Sequence, residues 1–244
     1  MSRPPSLLIL LSHRRSRPQP GQLDTYKSAI ERLNALITFK SPSSDHHDAP
    51  ARLVETGAKK LTLLYTKLVA EGSSGSPPGG SSIEFTILPF PADLLASLRP
   101  LVSFLRTLPL PATHPTHPAA QGIRSVLVDA QKGYADMRGA WSKKCLSPLA
   151  KNVVDEATSY NEGGGYEFGS TTTKAKRDGV EAGRSFGKLV LTVAEDEYNL
   201  LCDLAPLTSS QLVAQAYGGV AGADFGVVRD DVGVVDRPYQ AVVA

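Results

Sequence analysis

The sequence predicts an all-α protein, an antiparallel array of helical hairpins packed as a bundle. Three observations predict it. Apolar residues recur at steps of three and four through four long segments, the spacing that gathers side chains on one face of a helix. Those segments are parted by connections of roughly 10 to 20 residues, rich in Gly, Ser and Pro, long enough for helices to turn back on one another. No stretch before residue 217 alternates apolar and polar residues with the period of two that a half-buried strand requires.

Composition agrees with an ordered chain. Of 244 residues, 41% are hydrophobic; counting Gly as apolar and leaving Tyr out gives about 47%, inside the globular range of roughly 45 to 50%. Gly and Pro together number 39, too few for a low-complexity chain and enough to make loops alternate with order. No repeat of fixed period is present.

The first 22 residues hold four Arg, four Pro and no acid, which reads as a disordered lead. From Asp24 to about Lys40, Tyr26, Ile30, Leu33 and Ile37 form one stripe and define the first helix. The second carries Leu53, Leu61, Leu64, Tyr65 and Leu68 to about Glu71, with Pro50 in its first turn, where a missing N–H costs nothing. Residues 72–82 are all Gly, Ser or Pro and read as a mobile loop, and residues 83–88 as an extended segment lying on helices. Leu94, Leu98, Leu101 and Leu105 mark the third helix, which Pro100 should kink or split near Arg99.

Residues 109–118 contain four Pro and two His and form an extended turn. The longest stripe follows, Ile123, Leu127, Ala130, Tyr134, Met137 and Trp141 at steps of 4, 3, 4, 3 and 4, opposite Arg124, Lys132 and Asp136. Gly122, Gly133 and Gly139 lie inside it and need a packing reason, since each costs roughly 1 kcal/mol relative to Ala. Pro148 should bend or interrupt its continuation, and residues 159–173 read as a surface loop. A last stripe, Phe186, Val190, Val193, Leu200 and Leu204, faces inward with Glu195, Asp196 and Glu197 largely outward, until Pro206 stops it. The domain plan is thus a lead at 1–22, a helical-bundle region at 23–217 and an atypical tail at 218–244, a short strand pair or disordered.

Charge and motifs exclude several functions. A net charge of +2 is too mild for a dedicated nucleic-acid binder. Cys145 and Cys202 are 57 residues apart without CxxC spacing, so neither a disulfide framework nor a zinc knuckle is expected, and a reducing compartment fits. The longest aliphatic run, residues 7–11, is too short for a signal-peptide core or a membrane span, and the expectation is a soluble, cytoplasmic protein. His114 and His117 present two imidazoles three residues apart, short of the four ligands of zinc. The Gly-rich stretches lack the Lys of a phosphate loop, and no Gly-x-Ser-x-Gly elbow occurs. No catalytic, cofactor-binding or metal-ligating residues are assigned. The best local patch is Arg138 with Lys143 and Lys144, on the helix beside Trp141, suited to an acidic partner or anionic lipid headgroups.

Four ordered segments resemble a known family. ARLVETGAKKLTLLYTKLV at 51–69, KGYADMRGAWSKKCL at 132–146, EAGRSFG at 181–187 and EDEYNLL at 195–201 are similar, in order and rough spacing, to the Exo-seventy subunit of the exocyst in its fungal form. The resemblance spans about residues 23–217 and implies an elongated helical rod of stacked bundles. It further implies a non-catalytic subunit of the complex that tethers secretory vesicles to the plasma membrane. The partners it implies are other exocyst subunits, Rho-type GTPases and phosphoinositide membrane, at sites of exocytosis such as the bud neck or growth site. Relative to the family the chain lacks the N-terminal coiled coil and the large C-terminal helical region that bears the main phosphoinositide surface, so membrane binding is expected through regions missing here. Residues 159–173 read as an insertion. The alternative is a helical fragment with a regulatory or metal-binding role through the His-containing loop.

Overall fold

The structure is a computed structural model that describes residues 20–38, 48–75, 90–110, 118–162 and 171–231. Of these, 90% are helical and none is in a strand, so the fold is all-α. One 3₁₀ turn, Pro20–Gln22, precedes α1 (Leu23–Thr38), α2 (Asp48–Gly72), α3 (Ala92–Leu105), α4 (Pro118–Glu162), α5 (Thr171–Leu204) and α6 (Ser210–Asp231). The expected lead before residue 20, the loop beyond residue 75 with the segment 83–88, and the His-bearing turn at 111–117 lie outside the described residues.

The chain divides into two compact units. Among the described residues the first holds 20–38, 48–72, 90–110, 118–134 and 202–213; the second holds 73–75, 135–162, 171–201 and 214–231.

In the first unit α2 packs against both α1 and α3. The stripes do what their spacing requires: Tyr26 and Ile30 of α1, Leu61 and Tyr65 of α2, Leu98 and Leu101 of α3, and Ile123 and Leu127 of α4 are all buried. Pro50 sits in the first turn of α2 as expected. At its other end Gly72 lies against Phe90, where a Cβ would come within 2.2 Å of the ring, so any larger residue would force the ring to shift. Pro100 does not split α3, which runs unbroken to Leu105 with Pro100 exposed on its solvent side.

The C-terminus of α5 ends in this unit, and its carbonyls need donors. Arg106 supplies them, giving its Nη2 to Cys202 O at 2.8 Å and Asp203 O at 2.9 Å and its Nε to Ala205 O at 2.9 Å. Tyr65 Oη donates to Leu204 O at 3.1 Å. The guanidinium also places a cation at the negative end of the helix. Pro206 follows directly, as the sequence requires. Gln131 then clamps the connection to α6, accepting from Leu207 N and donating to Leu212 O, each at 3.0 Å. Ser209 caps α6, its Oγ accepting from Leu212 N at 3.4 Å.

In the second unit Leu146, Leu149, Ala150 and Val153 of α4 pack with Phe186, Val190 and Val193 of α5 and Val227 of α6. Four expectations are corrected here. Pro148 does not interrupt α4: its ring is exposed, the N–H it lacks would have met the carbonyl of exposed Lys144, and buried Leu146, Leu149 and Ala150 hold the turn around it. The surface loop at 159–173 is shorter at both ends, since α4 reaches Glu162 and α5 begins at Thr171; extending a formed helix adds one bond per residue fixed. The atypical tail is helical as far as Asp231. Ala216, Val220, Ala221 and Val227 are its buried positions, and Gly139 lets α6 approach α4. A Cβ there would be 3.1 Å from Ala223 Cβ and 3.3 Å from Gly219 O. Gly122 and Gly139 have packing neighbours of this kind, while Gly133 has none within 4 Å. Finally, Leu200 is only half-buried, and the fully buried positions near the end of α5 are Leu201 and Leu204.

Tyr134 and Trp141 are core residues, as their stripe predicts. Trp141→Ala should therefore lower the unfolding free energy by about 3 to 5 kcal/mol in urea titrations, the cost of a large-to-small change in a packed interior. Native-state fluorescence of Trp141 should be blue-shifted; a solvent-like spectrum with unchanged stability would contradict its placement.

Candidate functional site

The three candidate residues do not share a surface. Arg138 is 2% exposed and Glu197 4%, and together they form a buried two-pronged ion pair between α4 and α5. Arg138 Nε donates to Glu197 Oε2 at 3.0 Å and Nη2 donates to Glu197 Oε1. A third donor, Nη1, reaches Ser73 Oγ at 3.4 Å. Arg138 thus leaves the predicted basic patch, and Glu197 leaves the predicted outward charge run.

Both corrections have a signal in the sequence. Arg138 follows Tyr134 by four and precedes Trp141 by three, so it sits on the apolar stripe itself. Glu197 is seven residues from Val190 and from Leu204, again on the buried line. Of three consecutive acids that fan across about 200° of a helix, Glu197 is the one that falls on this line. What no single-sequence signal supplies is the pairing across 59 residues.

Lys143 and Lys144 remain exposed. Lys144 Nζ donates to Gly75 O at 2.6 Å and stands 5.8 Å from the centroid of the Trp141 ring. Its stem thus lies beside the Trp while the charge holds down the turn after α2. Cys145, next in sequence, is buried, and burial pushes its thiol above the usual 9.0; Arg138 and then Lys144 pull it back, and Glu197 adds to the rise. A thiol kept protonated is a poor nucleophile. Ser142, one turn from Arg138, is buried with no hydrogen-bond partner for its hydroxyl among the described residues, a cost of about 1 to 3 kcal/mol borne by the surrounding packing.

Among the described residues no three His, Cys, Asp or Glu side chains gather as a metal site would require. His46, His47, His114 and His117 lie outside those residues. Among the described residues no helix is long and apolar enough to cross a membrane. Compared with protein-family models, curated proteins and solved structures, the chain matches none. Among the described residues, buried Arg138, Glu197 and Gln131 are committed to holding helices and their connections together.

Removing one member of the ion pair should cost more than removing both. Glu197→Leu alone strands a buried guanidinium and should lose about 3 to 5 kcal/mol of stability, whereas Arg138→Met with Glu197→Leu should lose less than either single change. A double-mutant cycle by urea unfolding reads the coupling; additive losses would mean that the two groups do not pair.

Alkaline pH should also destabilise the fold. Burial raises the Tyr65 phenol above its usual 10.0, with Arg106 opposing, as burial raises the Cys145 thiol. Above about pH 9 the unfolded chain gives up these protons while the native chain keeps them, so the unfolded state binds fewer and stability falls as pH rises. Urea midpoints should be flat across neutral pH and drop by pH 10.5, and the Tyr65→Phe, Cys145→Ala double variant should flatten the drop.

Proposed function

We propose that this chain is a non-catalytic interaction subunit of the exocyst, working through helix surfaces to tether secretory vesicles at the plasma membrane. The observation that carries the reading is the ordered set of four segments that resemble the fungal Exo-seventy subunit. Their placement supports it: the segments lie on α2, α4 and α5. Their apolar positions Leu61, Tyr65, Tyr134, Trp141, Phe186 and Leu201 are core residues, while Lys143, Lys144, Glu195 and Asp196 remain on the surface. On this reading the partners are other exocyst subunits and Rho-type GTPases, and the protein works in the cytoplasm, peripherally at sites of exocytosis.

Direct lipid binding by this chain is weak on the same reading. With Arg138 buried, the patch offers Lys143 and Lys144, about 1 kcal/mol each at an anionic surface before salt screening. The test mixes the purified full chain with purified exocyst subunits and follows co-elution by size exclusion. Retention of at least one subunit is expected, together with little sedimentation on phosphoinositide vesicles at physiological salt. A helical chain, verified by circular dichroism, that retains no exocyst subunit would sink the proposal. Saturable vesicle binding abolished by Lys143→Ala with Lys144→Ala would overturn the lipid part.

A further inference from the structure

Helix α5 carries an exposed apolar seam. Val180 is 59% exposed, Leu191 62% and Tyr198 45%, three large apolar side chains on one helix. They stand 11 and 7 residues apart, spacings that return to within about 20° of one line along an α-helix. Arg184 and Gly187 fall on the same line, completing steps of 4, 3, 4 and 7, the ladder of a coiled-coil seam. Gly187 leaves open space, with nothing within 4 Å of where a Cβ would stand. Tyr198 also sets its ring edge-on to Tyr217, with centroids 5.1 Å apart, which holds it in place while nearly half of it stays in solvent.

The charges beside this seam are ordered. Lys188 and Glu195 are seven residues apart, so they share one edge of the stripe, and both are exposed. Among the described residues neither has an ion-pair partner. Arg184 reaches Glu181, at 3.8 Å with both side chains 64% exposed. It also stands four residues before Lys188, a like-charge spacing that disfavours the helix by a few tenths of a kcal/mol. On either side of Leu191 the edge is therefore basic at Lys188 and acidic at Glu195, with Glu181 a further seven residues before Lys188.

We propose that the seam from Val180 to Tyr198 is the docking surface for a second copy of this chain, with the two α5 helices antiparallel about a two-fold axis at Leu191. A sequence of basic then acidic charges on one edge complements itself only when reversed. In an antiparallel pair related by a two-fold axis, residues at equal distances before and after the axis face each other, and the same edge meets the same edge. Lys188 lies three residues before Leu191 and Glu195 four after it, so each Lys188 comes level with the Glu195 of the second copy to within one residue rise, about 1.5 Å measured along the helix axis. Arg184 and Tyr198 are both seven residues from Leu191 and come level across the seam, a cation facing an aromatic ring. The two Leu191 side chains meet on the axis. Parallel pairing would instead set this edge against the opposite edge of the second helix, so Lys188 and Glu195 would not meet each other.

The size of the surface sets its strength. The seam is about 27 Å long at 1.5 Å per residue, and one helix pair of that length covers less than the roughly 800 Å² per partner of a stable interface. The dimer is accordingly weak, with a dissociation constant on the order of tens of micromolar, and it weakens with salt.

Sedimentation equilibrium of the full chain from about 5 to 300 µM tests this, a range that brackets such a constant. The mass should rise from 25.9 kDa toward twice that value with concentration. Lys188→Glu and Glu195→Lys should each weaken self-association about tenfold or more, since each opposes like charges. An equimolar mixture of those two variants should regain it, because every pair across the seam is again opposite in sign. All the altered side chains are exposed, and circular dichroism verifies that each variant keeps its helices. A chain that stays monomeric throughout overturns the proposal, as does a dimer indifferent to both reversals or one not restored in the mixture.

Discussion

A charge in a protein interior must bring its own counter-charge, and the second unit is arranged around that constraint. Taking Arg138 and Glu197 out of water costs several kcal/mol per ion, which close two-pronged contact offsets only if both are present and aligned. Once Glu197 points at Arg138, the rotation of α5 about its axis is settled. Each residue turns the helix by about 100°, so Val190, Val193 and Leu201 fall inward while Leu191, Glu195 and Asp196 are driven to solvent. The exposed seam on α5 is thus the other side of the buried pair.

The first unit meets a similar demand at the level of the backbone. A helix end leaves carbonyls without partners, and buried ones are costly. At the end of α5 three of these carbonyls converge on a single guanidinium, Arg106, and a fourth on Tyr65. Gln131 serves both a donor and an acceptor of the following connection. Long side chains distant in sequence, with Ser209 as the local cap of α6, close this corner.

Helix α6 shows propensity being overruled by packing. Gly218, Gly219, Gly222 and Gly226 each disfavour a helix by about 1 kcal/mol relative to Ala. Burial of Ala216, Val220, Ala221 and Val227 offsets this, and of the four glycines only Gly219 lies at a close approach, with Gly139 where α4 and α6 nearly touch. Tyr217, whose hydroxyl donates to Ala194 O at 3.2 Å, ties the same helix to α5.

The sequence by itself determined the all-α class, most of the stripe positions of α1 to α5, the stop at Pro206 and the burial of Tyr134 and Trp141. Each follows from the period of 3.6 residues or from the missing N–H of Pro, which are local properties of the chain. It also held, unread, the inward positions of Arg138 and Glu197, because a charged residue on an apolar stripe looks like an interruption until its partner is known. Only the tertiary structure decided that these two meet, that Arg106 caps α5, that α4 passes through Pro148 and that the Gly-rich stretch after residue 217 is a helix. Those outcomes depend on contacts between residues far apart in the chain, and burial supplies there the free energy that local preference lacks.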